Sequence, residues 1–153
     1  MHNGQPGILL NTDEDKRGDQ VEITLLNPTD TFSRDRAAQL NGLAYRESNK
    51  IVAIGQGALG SQELINLVRM GYGEWTFIDE DYFLPHNQAR HAFFSFAVGF
   101  SKAQVLAVLA NGIVGGQPIA TALVADVLNP GTSAAEIDKA LTSADIIWTP
   151  QPP

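Results

Sequence analysis

Cysteine is absent from the 153 residues, so no disulfide, thiolate metal site or cysteine nucleophile can form within this chain. Basic residues are scarce: 10 Lys and Arg stand against 17 Asp and Glu, a net charge of −7. Such a chain has no basic field to draw polyanions, which argues against a general nucleic-acid binder or a binder of acidic membranes. The start, "MHNGQPGILLNTDEDKRGDQ", lacks a basic-then-apolar signal pattern, and a cytoplasmic protein is expected. An unbroken apolar run is missing too. Ala103 to Ala125 holds 23 residues without a charge, nominally a membrane span, but Asn111, Gly112, Gly115, Gly116, Gln117 and Pro118 interrupt it. A spanning helix would strand those polar groups in hydrocarbon, so a helix, a turn and a buried strand are expected instead.

What is present fits one domain of alternating elements. Residues 1–33 read as an extension: a polar, mobile first twenty residues, a strand over Val21–Leu26 and a turn over Asn27–Thr31. Asp30 or Ser33 can cap a helix running to about Leu43. Residues 34–153 then alternate. "KIVAIG" and "EWTFID" have the short apolar character of buried parallel strands, and Pro118–Val124 and "ADIIW" supply two more. Helices fit Ala58–Met70, closed by Gly71 and Gly73, and Ser101–Ile113, with Val105, Leu106, Leu109 and Ile113 on one face. A last helix fits Ser133–Leu141, and Ser101 and Ser133 are the expected caps. The predicted fold is α/β: a three-layer, Rossmann-like, mostly parallel sheet with helices on both faces, incomplete at its C-terminus.

"IVAIGQGALGS" sets Gly55, Gly57 and Gly60 in the spacing G-x-G-x-x-G between a strand and a helix. Gly55 permits the tight turn, Gly57 removes a side chain that would block backbone approach, and Gly60 lets the helix pack on the strand. The free N–H groups at the helix start attract phosphate. Asp79 ends the next strand, 24 positions after Gly55, where a carboxylate accepts hydrogen bonds from ribose hydroxyls. Up to this point a nicotinamide or flavin oxidoreductase and an ATP enzyme are equally supported.

The continuation, "IDEDYFLPHNQARH", separates them. A single helical turn over Asn87–His91 puts Asn87 and Arg90 on one face. Twelve residues beyond Arg90, Lys102 occupies the first turn of a helix, where the dipole disfavours a cation unless a counter-charge such as phosphate is bound. An Arg, a Lys and a helix N-terminus around one acidic pocket point to a triphosphate.

"KIVAIGQGALGS", "FIDEDYFLPHNQAR" and "VGFSK" together resemble the nucleotide-binding core of the ubiquitin-activating superfamily, which includes the ThiF and MoeB adenylyltransferases. The family pattern is a glycine loop, D-x-D, N-x-x-R, and then a lysine. The resemblance covers about Arg34 to Trp148 and is most similar to bacterial ThiF-type members. It implies that Gly55, Gly57, Ala58 and Gly60 surround ATP, and that Asp79 holds the ribose. Asp81 would orient the arginine or a metal-bound water. Asn87 and Arg90 would contact the phosphates, with Lys102 reaching them from the next helix. It further implies Mg²⁺, a homodimer that lends an arginine across its interface (Arg34 or Arg36 here), and adenylation of the C-terminal carboxylate of a small ubiquitin-like or sulfur-carrier protein. Arg90 and Lys102 would be the catalytic groups.

Three departures from the family pattern stand out. The aspartate that usually ends the fourth core strand is matched by Trp148, while Asp145 lies at the strand's start. There is no cysteine for a thioester or a zinc site. The chain stops at "TPQPP", where the family continues. Truncation accounts for all three; a non-catalytic dimerising module accounts for the first two. His86 and His91 read as surface or hydrogen-bonded residues rather than metal ligands. Phe93, Phe94, Phe96 and Phe100 suit a core or a dimer interface as well as an adenine pocket or partner groove, and Trp75 and Trp148 suit the strand core.

Overall fold

The structure, a computed structural model, describes Thr24 and residues 31–149. The expected extension strand at Val21–Leu26 and the terminal "PQPP" lie outside the described residues. Four strands, β1 (Lys50–Ile54), β2 (Glu74–Ile78), β3 (Ala120–Leu123) and β4 (Ile146–Trp148), form one sheet in the order β3-β2-β1-β4. Every pairing is parallel; Ile51 stands opposite both Trp75 and Ile146, and Phe77 opposite Ala122. The four helices are α1 (Arg34–Leu40), α2 (Ala58–Arg69), α3 (Lys102–Ile113) and α4 (Ala134–Ser143).

Side-chain alternation sorts the layers. Ile51, Ala53, Trp75 and Phe77 face a core built with Leu64, Ile65 and Val68 of α2 and Ala103, Leu106 and Ala110 of α3. Val52, Ile54, Ile78 and Leu123 face the other way, against Ile137, Ala140 and Leu141 of α4. Helices therefore cover both faces of a parallel sheet. The chain leaves β1 toward β2 and β3, then returns to β4 on β1's far side. That reversal creates a crevice at the carboxyl ends of the strands, where ligands bind in open α/β sheets.

Local chemistry explains where the elements start and stop, and where they differ from expectation. Ser33 Oγ accepts from Arg36 N–H at 3.2 Å and caps α1. That helix stops at Leu40 rather than Leu43, because Leu43 N–H turns back to the Ala38 carbonyl and Gly42 N–H to that of Gln39. α2 closes the same way at Gly71, whose φ of +75° suits glycine and whose Cβ position lies 2.5 Å from the Arg34 carbonyl oxygen. The two other expected caps do not form. Ser133 ends a 3-10 turn (Gly131–Ser133) with ψ 1°, so its hydroxyl cannot reach the first-turn amides of α4. Ser101 Oγ is buried without a partner among the described residues, and Lys102 N–H bonds the Asp81 carbonyl.

The buried stripe of α3 also differs from expectation. Ala103, Leu106, Ala107 and Ala110 are buried, Val105, Leu109 and Ile113 only partly, and Val108 is 71% exposed. Of the phenylalanines, Phe93 is core, while Phe94, Phe96 and Phe100 are exposed. Among the described residues no helix is long and apolar enough to cross a membrane; the uncharged run divides into α3, a turn and β3.

Candidate nucleotide site

The predicted site residues gather beyond the carboxyl ends of β1 and β2. Gly55 follows β1 with φ +80°, a left-handed turn that only glycine adopts without strain, and its N–H donates to the Ile78 carbonyl at 2.9 Å. Gly57 is different. Its φ is −70° and no atom lies within 4 Å of a Cβ built there, so nothing in the fold itself requires glycine. Among the described residues the space beside it is open. Ala58 opens α2, and Gly60 is buried in its first turn.

Asp79 is joined to this loop. Its Oδ2 accepts from Gln56 N–H at 2.6 Å, and its Oδ1 from Asp81 N–H at 2.8 Å. Each oxygen keeps a lone pair, so the carboxylate is oriented but still able to accept from a sugar hydroxyl. Gln56 itself is fully buried: its amide nitrogen donates to the Ala53 and Ile78 carbonyls, while Oε1 has no partner among the described residues.

After Asp79 the chain makes a 3-10 turn over Pro85–Ala89, with Asn87 inside it and Arg90 at its end. Residues three apart eclipse in such a turn, so Asn87 and Arg90 share a face. Asn87 Oδ1 is taken by Leu84 N–H at 2.8 Å. Arg90 is exposed, and its guanidinium has neither a hydrogen bond nor an ion pair among the described residues. Lys102 is 7% exposed, and its Nζ lies 2.6 Å from Asp81 Oδ2. The counter-charge that a lysine at a helix N-terminus needs therefore comes from Asp81. Asp81 is paired with Lys102 and not with Arg90.

His91 follows Arg90 directly and is buried. Its Nε2 is 2.7 Å from the Gln56 carbonyl oxygen, and its Nδ1 accepts from Phe93 N–H at 3.3 Å. Burial holds its pKa below the ordinary histidine value; the Gln56 carbonyl opposes that shift, Lys102 adds to it and Asp79 opposes it. The sequence reads His91 as surface or hydrogen-bonded, and it is hydrogen-bonded; its partner is not legible there, because a histidine in a polar stretch has no spacing that announces an intramolecular partner 35 positions away.

Two expectations fall elsewhere in the structure. Arg34 is buried at the opposite end of the strands and donates to the carbonyls of Glu47, Gly71 and Gly73, so it is not available to cross an interface; Arg36 is exposed. Asp145 stands before β4, where its carboxylate accepts from Lys50 N–H at the start of β1, far from the glycine loop. Among the described residues no three His, Cys, Asp or Glu side chains converge as metal ligands, and Trp148 at the end of β4 supplies none.

Residues 33–149 match the family model described as the ThiF family. The chain belongs to the ThiF family. Its fold is therefore of the adenylation type, in agreement with the solved structures it resembles. TcdA (CsdL) superposes with a TM-score of 0.57 and 25% identity, covering 76% of this chain and 44% of that one. The E. coli tRNA N6-threonylcarbamoyladenosine dehydratase TcdA, solved in complex with AMP, gives 0.54 and 25% over 75% of this chain and 43% of that one. E. coli MccB, solved with ATP, shares the fold at a TM-score of 0.51 and 22% identity, over 66% of this chain and 29% of that one. A 75-residue stretch, 49% of this chain, is 35% identical to the uncharacterized protein y4oA of Sinorhizobium fredii (strain NBRC 101917 / NGR234), of which it spans 13%. The chain thus spans less than half the length of these relatives.

Proposed function

We propose that this chain is the nucleotide-binding part of an enzyme that adenylates a carboxylate, that of the C-terminus of a small ubiquitin-like or sulfur-carrier protein. A carboxylate oxygen attacks the α-phosphorus of ATP; the bond from that phosphorus to the bridging oxygen breaks, and pyrophosphate leaves with the electron pair. The products are an acyl-adenylate and pyrophosphate, and no protein nucleophile takes part. The glycine loop holds the nucleotide, Asp79 the ribose, and Asn87, Arg90 and Lys102 the phosphates. ATP enters as its Mg²⁺ complex.

The observation that carries this reading is Arg90: an exposed guanidinium without a partner among the described residues, on a turn beside the glycine loop. A hydride-transferring enzyme makes no demand for that cation or for Lys102. The name of TcdA points to a tRNA nucleoside, but a net charge of −7 gives this chain no basic field for a polyanion, so a protein carboxylate stands first.

Nucleotide choice is tested with Gly57→Ala. The variant should melt within about 2 °C of the parent, since φ and space both admit alanine. It should also lose stabilisation by ATP–Mg²⁺ about tenfold or more in apparent Kd, as the methyl group blocks close backbone approach. Stabilisation of the parent by NAD(H) and not by ATP would reverse the reading in favour of an oxidoreductase. Absence of both would favour the non-catalytic module.

The same reading includes a homodimer. A groove of about 710 Å³ between α3 and the edge strand β3 supports it: Phe96, Phe100, Val105, Val108 and Leu109 line it together with Ala120 and Ala122, and no charged side chain does. An uncharged face offers nothing to a charged partner and is complementary to its own copy. Val108→Asp should leave the fold intact and convert the dimer to monomer in sedimentation velocity. An unchanged dimer places the interface elsewhere.

A further inference from the structure

Asn87–Arg90 and the glycine loop Gly55–Gly60 lie 27 to 35 residues apart in sequence, yet any reaction that uses both must hold them in fixed relation. The 3-10 turn does not do this alone. Its hydrogen bonds, Asn87 N–H to the Leu84 carbonyl, Arg90 N–H to the Asn87 carbonyl and Leu84 N–H to Asn87 Oδ1, are all internal to it. They set its shape and not its distance from the loop.

We propose that His91 is a positioning residue whose neutral imidazole fastens the phosphate-facing turn to the glycine loop through the Gln56 carbonyl. The geometry leaves one tautomer. A carbonyl oxygen only accepts, so Nε2 at 2.7 Å from Gln56 O carries the proton; Phe93 N–H only donates, so Nδ1 presents its lone pair. The ring is held on its faces and edges by Phe83 and Phe93, with centroids 5.1 and 4.1 Å away.

The anchor at the other end is equally fixed. Gln56 N–H is on Asp79, and its side-chain amide is on the ends of β1 and β2, so whatever hangs on its carbonyl inherits the position of the sheet. A second tie, Ala92 N–H to Ser61 Oγ at 3.1 Å, fastens the next residue to the first turn of α2. Arg90 immediately precedes this double tie. A phosphate-positioning group misplaced by about 1 Å costs about 100-fold in rate, so the backbone that carries the guanidinium has to be fixed. The charged groups around the ring are Lys102 of α3 and Asp79 after β2, with Arg69 of α2 lining the same cleft.

This inference rests on the adenylation reading for its consequence and on geometry for the clamp, and the experiment keeps the two apart. In the full-length protein, His91→Leu should lower carboxylate-dependent ATP–pyrophosphate exchange by about 10- to 100-fold. His91→Gln, which keeps a donor for Gln56 O, should stay within about threefold. Arg90→Ala added to His91→Leu should cost far less than in the parent, because the two act as a unit. Additive losses, or a His91→Gln variant as impaired as His91→Leu, would overturn the proposal.

Two nucleotide-free measurements read the clamp itself. Nitrogen NMR at pH 7 should show His91 neutral with its proton on Nε2, and a proton on Nδ1 overturns the proposal even if exchange activity is found. The folded state resists protonation at this ring while the unfolded chain accepts it, so stability is complete above the ordinary histidine pKa of 6.5 and falls as pH drops below it. The parent should therefore lose more denaturation midpoint between pH 7 and pH 5.5 than His91→Gln, and equal losses count against the clamp. A parent without exchange activity would sink the adenylation reading and leave these two measurements to decide the clamp.

Discussion

Replacing Arg90 with alanine is expected to lower carboxylate-dependent ATP–pyrophosphate exchange by about 100- to 1,000-fold, the usual cost of removing one preorganised charge from a developing anion. The melting temperature of the same variant should stay within about 2 °C of the parent. Those two outcomes belong together. Arg90 is exposed and its guanidinium has no partner among the described residues, so the fold loses almost nothing with it. The reaction loses the cation that balances charge as pyrophosphate departs. Exchange at parental rate would remove Arg90 from the site, and a large drop in stability would show a structural role for it instead. Lys102→Ala is a poorer probe, because the ammonium is buried against Asp81 and its removal alters both packing and charge.

Arg34→Ala is expected to behave in the opposite way: a loss of about 3–5 kcal/mol in stability, which for a domain of this size lowers the melting temperature by about 10 °C or more. The guanidinium is 7% exposed and spreads its donors over the carbonyls of Glu47, Gly71 and Gly73, all within 2.9–3.4 Å. Alanine leaves those acceptors without the donor that joins α1, the end of α2 and the start of β2. Lysine should restore little, since one ammonium cannot reproduce a planar fork. Glu74 is the lesser partner: its side chain is 47% exposed and 3.3 Å from Nη1, so Glu74→Ala should cost under about 1 kcal/mol. A shift below about 3 °C for Arg34→Ala would refute this account. In the structure the residue is committed to its own chain, which leaves Arg36 as the exposed arginine of α1.

Much of the fold is legible along the chain because its elements are bounded by local chemistry. The apolar runs "KIVAI" and "EWTFI" are short and bounded, and each is observed as a five-residue strand. Glycines at the ends of helices mark where the chain turns, and α2 closes at Gly71 for that reason. The errors arise where a local rule competes with a contact from elsewhere. Ser101 has the residue type of a cap, but its hydroxyl makes no bond to the first-turn amides of α3, and the chain there is tied to Asp81 instead, through the Lys102 N–H to a carbonyl 21 positions away. Val105, Leu106, Leu109 and Ile113 have the spacing of a buried stripe, but of these only Leu106 is fully buried, and Ala103, Ala107 and Ala110 join it against the sheet.

For the site, the order of its parts was readable and their partnerships were not. The spacing of Gly55, Gly57 and Gly60, the carboxylate at Asp79, and the later Asn87, Arg90 and Lys102 are properties of a linear string, and they mark out the candidate site along the chain. Which carboxylate meets which cation is a property of three dimensions. Asp81 pairs with Lys102 because the parallel sheet brings the end of β2 beside the start of α3. His91 reaches Gln56 because β1 and β2 are adjacent in the sheet. By itself the sequence determined the elements, their alternation and the chemistry available, since each depends on residues a few positions apart. Only the tertiary structure decided that Arg34 is a structural tie, that Gly57 is free of any structural demand, and that a histidine joins the two halves of the site. The first and last depend on neighbours 13 to 39 residues away, and the second on open space among the described residues, and no local pattern encodes either.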